Sequence, residues 1–281
     1  MIYLILAVAS SAAISIIMRA SEKYVKNEVG MFMANYLVCM ILSVAFMQDK
    51  TQLVAIVGNK NNLTFALGAL SGIMFLANFL FYKYNMKCNG IVMSATFMKL
   101  GVLVPTIMAV VAFGETPRMT QVIGIMVAVG AIILINFEKN AFSESKHMIW
   151  LLLLLLLSGF TDSMANVFDK VGDASQKDAY LLATFGTAFV ITVAISCLTK
   201  SRVAIMDFVF GALIGIPNYF SSRFLLLSLQ EVEAVLVYPT YSVATMITIA
   251  IAGVVVFREK VSRQKLCALG LILIALVLLN V

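Results

Sequence analysis

Three ionisable side chains stand inside long apolar stretches of this chain: Lys99, Asp162 and Arg223. A charge held in hydrocarbon costs at least ~2.5 kcal/mol on insertion scales, so each is expected to face a wet cavity or a partner. Lys99 sits about three positions from the middle of its block, or ~4.5 Å along a helix axis. Its readings are a substrate-binding cation, a structural ion pair, or a stem that snorkels to the interface. Pro105 follows in the same block and leaves the Gly101 carbonyl without its amide partner. A kink beside Lys99 is the kind of broken helix that lines a binding site. Arg223 lies about 8 Å from the centre of its own block by the same rise. Pro217-Asn218-Tyr219 occupies that centre, and Asn218 shares a helical face with Ser222. Ser158, Asp162, Asn166 and Asp169 recur at spacings of 4, 4 and 3, which is one face of a helix. Asp162 then has three open roles: proton carrier, salt-bridge partner of Lys99 or Arg223, or substrate ligand. Asn166 stands with it as a coupling or charge partner. Tyr238, Tyr241 or Ser242, and Thr245 form a further stripe. An interfacial aromatic belt explains Tyr238 as well as a site does, and Tyr241 is the deeper residue. Asn78 completes the set. The chemistry on offer is ligand binding with proton handling.

The elements that position these residues follow from composition. Of 281 residues 62% are apolar and 12% charged, and the mean hydropathy is +1.01. A soluble globule could not hide that much apolar surface, and disorder is excluded on the same numbers. The expectation is an all-α integral protein of the cell membrane (plasma or bacterial inner). The net charge of +6 resides in short loops, where it bears on orientation and not on nucleic acid. Cys39, Cys88, Cys197 and Cys267 occur singly and His147 is the lone His, so no metal site and no cofactor are expected. The rival class, a membrane-embedded enzyme, finds no HExxH, GxSxG or Walker A sequence. No catalytic residue is therefore assigned. The first apolar block, with no basic segment before it, reads as a retained helix and not a signal peptide.

Ten spans are expected, at 2–19, 31–47, 63–82, 91–113, 119–136, 148–168, 179–198, 205–227, 232–256 and 266–280. The weakest break is Gln230-Glu231-Val232-Glu233. An internal repeat organises them: 68–73 reads GALSGI and 211–216 reads GALIGI, an offset of 143. Phe113-Gly114-Glu115 and Phe257-Arg258-Glu259 recur at offset 144, each before a final span. Residues 1–140 and 141–281 then hold five spans each. Because five is odd, the second half enters the membrane inverted, as in many secondary transporters. Gly68/Gly72 and Gly211/Gly215 set small residues four apart, a spacing for close helix packing in lipid. Glu115 and Glu259 read as structural caps at helix ends.

The chain resembles the ten-helix, EamA-type branch of the drug/metabolite transporter superfamily. The resemblance is carried by VPTIMAVVAFGETPRMTQVIGIMVAVGAIIL at 104–134 and by YPTYSVATMITIAIAGVVVFREKVSRQKLCALGLILIALVLL at 238–279. In each, an apolar helix ends in a Glu, and a short turn leads to a Gln and a Gly-containing last helix. These are Glu115, Gln121 and Gly124, then Glu259, Gln264 and Gly270. The first span departs from the family pattern, with Ser10, Ser11 and Ser15 in place of aromatics, so no cation-binding aromatic box is carried over. The resemblance implies secondary active transport of a small polar metabolite by alternating access at a midplane cavity. The cations Lys99 and Arg223 favour an anionic one. A flippase for lipid-linked substrates is the alternative. The implied partners are a small-molecule substrate, membrane lipids and, if Asp162 carries them, protons; the chain is read as a monomer. Loop charge places the termini outside, whereas the resemblance places them in the cytoplasm.

Overall fold

In a computed structural model, the described residues are 1–21, 23–47, 62–89, 94, 97–98, 100–136, 148–199, 203–256 and 263–280. They form α-helices, with a short 3-10 helix at Ala174–Gln176 and no strand among them. The helices are α1 (Ile2–Ser21), α2 (Glu28–Ala45), α3 (Asn62–Asn89), α4 (Leu103–Val111) and α5 (Met119–Asn136), followed by α6 (Met148–Val171), α7 (Lys177–Leu198), α8 (Ile205–Leu229), α9 (Ala234–Val255) and α10 (Arg263–Asn280). Seven of them, α1, α2, α3, α6, α7, α8 and α9, are long and apolar enough to cross a bilayer. The doubtful break at 230–233 is a true turn, in which the Glu231 and Val232 amides donate back to the Ser228 carbonyl. The span expected at 91–113 is not one straight helix, because the chain turns at Gly101–Val102 and α4 begins only at Leu103. The expected third span ends late: α3 runs on to Asn89.

The chain divides into two compact units. One comprises Ile2–Leu76 and Val167–Leu227, and α2 packs against α7 within it. Asn27 starts α2 by accepting from the Gly30 amide at 3.2 Å. Before α7, Asp173 accepts from the Ser175 amide at 2.9 Å. Hydrogen bonds from the Ser175 hydroxyl and amide hold the Asp173 carboxyl below its ordinary value. The α3 and α8 glycines allow backbone contact. A methyl group on Gly68 would stand 2.6 Å from the Ala183 Cβ and 2.8 Å from the Tyr180 carbonyl oxygen. One on Gly72 would strike the Thr184 carbonyl and the Thr187 Cβ. On Gly211 it would strike the Met31 carbonyl and the Ala34 Cβ, and on Gly215 the Asn35 carbonyl and the Val38 Cβ, both at 2.7 Å. Polar contacts join the helix starts. Thr64 donates to the Gln176 side-chain oxygen at 2.7 Å, and Asp207 accepts from the Lys26 and Asn27 amides at 2.8 and 3.3 Å.

The other unit comprises Met1, Ala77–Asn166 and Ser228–Val281. Here α5 packs on α10, and α4 on α9. Gly124 lets α5 approach the backbone of α10 at Leu279. Trp150 of α6 makes edge contacts with Phe81 and Tyr84 of α3 at 5.9 and 5.6 Å. Gly114, at φ 69°, reverses the chain between α4 and α5. It delivers Glu115 to the start of α9, where one carboxylate oxygen accepts from the Val235 amide at 2.8 Å. Glu115 is thus a cap, as its sequence position suggested, but of a helix 120 residues away. Glu233, at the N-cap position of α9, makes no side-chain cap bond itself.

Candidate functional site

The broken segment before α4 gives the α5/α10 unit its polar centre. Pro105 is the third residue of α4, in the first turn, where a missing N–H removes no helical bond. The Gly101 carbonyl that Pro105 cannot serve accepts instead from the Val104 amide at 2.9 Å. The Gly101 amide is shared between the Phe97 and Met98 carbonyls, each at 3.2 Å. Hydroxyls take up two more carbonyls of the break. Ser158 donates to Met98 at 3.1 Å and Thr106 to Val102 at 2.8 Å. The break also coincides with a close helix approach. A methyl on Gly101 would lie 3.0 Å from the Gly159 nitrogen and 3.1 Å from the Leu155 oxygen. Proline and glycine together therefore set an irregular turn of the helix against α6, with Val102 keeping right-handed helical dihedrals. Lys99 belongs to this segment but lies outside the described residues.

Along α6 the members of the stripe read from spacing differ in burial and contacts. Ser158 is buried and touches the break. One turn on, the Asp162 main-chain carbonyl accepts from the Tyr238 hydroxyl of α9 at 2.9 Å. The Asp162 residue is exposed, whereas Tyr238 is 2% exposed. In an α-helix that same carbonyl is the one facing the amide of residue 166, so Tyr238 docks at the turn between Asp162 and Asn166. Asn166 is completely buried, and neither its side-chain nitrogen nor its oxygen has a hydrogen-bond partner among the described residues. On α9, two turns past Tyr238, Thr245 is 2% exposed and its hydroxyl also lacks a partner. Asn78 of α3 is half-buried, with its side-chain oxygen enclosed and unpartnered. Tyr241 is half-buried one turn beyond Tyr238.

The remaining sequence-derived residues, Asn218 and Arg223, lie in the α2/α7 unit and are both engaged in helix packing. Asn218 donates to the Asn35 side-chain oxygen at 3.1 Å, beside Cys39, whose thiol reaches the Gly215 carbonyl at 3.3 Å. Arg223 forms an ion pair with Asp178 of α7, both side chains being largely buried at 11% and 3% exposure. It also donates to the Tyr219 hydroxyl at 2.7 Å. The Tyr219 ring is fully buried and packs against Phe220 and Phe46 at 5.3 and 6.0 Å. Sequence reasoning missed Asn35 and Asp178. Asn35 was a lone polar residue in an apolar block and carried a signal. Asp178 stands in the first turn of α7, where a carboxylate has an ordinary reading as a helix-start charge. No group of three or more His, Cys, Asp or Glu side chains suited to a metal ion occurs among the described residues.

No family model matches the sequence, and no curated protein matches it either. Chains of known structure do share the fold. One, described as "Crystal structure of protein", aligns with 99% of this chain and 96% of its own at a TM-score of 0.74 and 11% identity. At that identity the likeness speaks for the fold alone.

Proposed function

We propose that this chain is a ten-span integral membrane protein made of two inverted five-span repeats, of the EamA type, and that it is a secondary active transporter for a small polar metabolite. The observation that carries the reading is an exchange of helix contacts at two constant offsets. Gly68 meets Tyr180 and Ala183, and Gly211 meets Met31 and Ala34; Gly72 meets Thr184 and Thr187, and Gly215 meets Asn35 and Val38. The glycines of each pair are 143 residues apart, and their partners 149. The polar contacts Thr64 to Gln176 and Asp207 to Asn27 obey the same two offsets. A two-fold repeat generates this pattern, since the third helix of each half then packs on the second helix of the other. Counterpart helices also pack on one another: α2 on α7, α4 on α9 and α5 on α10.

Parity supports the ten-span count. Met1 pairs with Glu231, Asn27 with Asp207, Thr64 with Gln176, and Glu115 with Val235. In the ten-span reading these contacts enclose eight, six, four and four spans. All are even, as they must be for two helix ends on one side of a bilayer. A discontinuous helix beside a polar stripe within an inverted repeat is an arrangement that suits alternating access. The sequence has no Walker A motif, so an ion gradient or the substrate's own gradient drives the cycle, with Asp162 as the proton carrier. The test uses purified protein in liposomes, loaded with a pool of small polar metabolites and assayed for counterflow by mass spectrometry. Protein-dependent exchange of a soluble compound is expected. Asp162→Asn should retain exchange and lose accumulation driven by a pH gradient. Flux of a lipid probe with none of any soluble compound would replace this reading with the flippase.

A further inference from the structure

The polar residues of the two units differ in how far they are satisfied, and the difference bears on the ligand. Arg223, which on sequence favoured an anionic substrate, has its charge matched by Asp178 and a further donor–acceptor contact with Tyr219. Asn218 is joined to Asn35. The Tyr238 hydroxyl is committed to the Asp162 carbonyl. Asn166 is the exception. It is 0% exposed, stands one turn beyond the Tyr238 contact, and has both a donor and an acceptor without partners among the described residues. Buried polar atoms are almost always paired, and each unpaired one carries a desolvation penalty. A helix face could have held Leu at this position at no such cost. The Thr245 hydroxyl on the partner helix is buried and unpartnered as well.

We infer that Asn166 is a substrate-binding residue, and that the group seated on it is uncharged and presents one donor and one acceptor side by side, as a carboxamide or a vicinal diol does. This rests on the transporter reading and specifies what its site takes. The choice of group follows from the amide. A carboxylate offers only acceptors and would set an oxygen against the Asn166 Oδ1. An ammonium offers only donors and would leave the Nδ2 hydrogens unserved. A group carrying both satisfies both atoms at once. Charges elsewhere on the same ligand are unaffected by this argument.

The test is binding, read separately from transport. Purified protein in detergent is titrated with matched probes: glutamine against glutamate, nicotinamide against nicotinate, and erythritol against succinate, which has no hydroxyl. Thermal unfolding is followed by the fluorescence of Trp150, the one tryptophan of the chain. An upward shift with the carboxamide or the polyol member of a pair, and a smaller or absent one with its carboxylate, is expected. Asn166→Leu should weaken the half-saturating concentration about tenfold or more, and Asn166→Ala, which cannot clash, should do the same. Carboxamide shifts alone would assign an amide ligand and polyol shifts alone a diol. Shifts that survive in both variants, shifts confined to the carboxylates, or no shift with any probe would overturn the inference. Binding without flux in liposomes would overturn the transporter reading and leave this one standing.

Discussion

The two-fold exchange of glycine contacts makes a quantitative demand. Gly68→Ala places a methyl 2.6 Å from the Ala183 Cβ, and Gly215→Ala places one 2.7 Å from the Asn35 oxygen and the Val38 Cβ. Ordinary contact begins near 3.4 Å, so α3 must move from α7 by about 0.8 Å and α8 from α2 by about 0.7 Å. The opposing atoms are backbone carbonyls and Cβ atoms, which cannot swing aside as a side-chain tip can. A radial gap of that size forfeits about a quarter to a half of each contact it opens, and overpacking of this kind costs about 1–3 kcal/mol. At about 2–4 °C per kcal/mol for a chain of this order of size, each substitution should lower the unfolding midpoint by about 2–12 °C. Gly186→Ala is the internal control. It lies on α7 among the same contacts, with nothing within 4 Å of the added methyl, and should leave the midpoint unchanged or raise it slightly. Gly211→Ala and Gly72→Ala, whose methyls meet backbone carbonyls more closely still, should cost at least as much as their counterparts Gly68→Ala and Gly215→Ala. Thermal unfolding in one detergent, read from Trp150, measures all five. If Gly68→Ala behaves like Gly186→Ala, the close approach is absent. If one member of a pair is harmful and the other silent, the repeat argument is refuted.

Three further outcomes are expected from the same assay. Asp178→Ala leaves a largely buried guanidinium unmatched and should destabilise by about 3–5 kcal/mol, while Asp178→Leu combined with Arg223→Met should recover most of the loss; no recovery would mean that the pair's packing matters more than its charge. Glu115→Ala removes the acceptor of the Val235 amide at the start of α9 and should cost about 1–2 kcal/mol, with Glu115→Gln closer to the native protein because it keeps an oxygen there. Asn166→Leu should stabilise the fold by about 1–3 kcal/mol of relieved desolvation and so raise the midpoint even as it weakens ligand binding, and a fall would show that Asn166 has a structural partner.

Much of the helix plan was legible because apolar blocks of bilayer length are hard to read otherwise. The turn at 230–233 is an example, since three polar residues in four were enough to mark it. The break before α4 was only half legible. Pro105 announced a disturbance, but its placement at Gly101–Val102 depends on Gly159 and Leu155 approaching from α6, and no local pattern encodes that. Although Asp162 is exposed while Ser158 and Asn166 are buried, the regular spacing of the three along α6 was legible. What each member does was not. Ser158 serves a carbonyl of the break, Asp162 offers a carbonyl to Tyr238, and the Asn166 amide has no partner among the described residues.

That last distinction separates packing from function here. Asn35 with Asn218, Asp178 with Arg223, and Ser71 with Tyr180 at 3.0 Å are polar residues in apolar helices that find each other. Each pair joins two helices: α2 to α8, α7 to α8, and α3 to α7. In a low-dielectric surrounding such pairs fix helix register, because a shift of one turn would strand both members. Asn166 and Thr245 are polar residues of the same kind in the same kind of surrounding, and neither side chain has a partner among the described residues. Residue type and spacing look alike in the two cases, so from sequence Arg223 and Asn218 read as substrate-binding residues and Asn166 as a coupling or charge partner. Pairing is what divides them. A satisfied polar residue is explained by the fold that satisfies it, whereas a fully buried amide with neither atom paired among the described residues is the position at which the proposed ligand is tested.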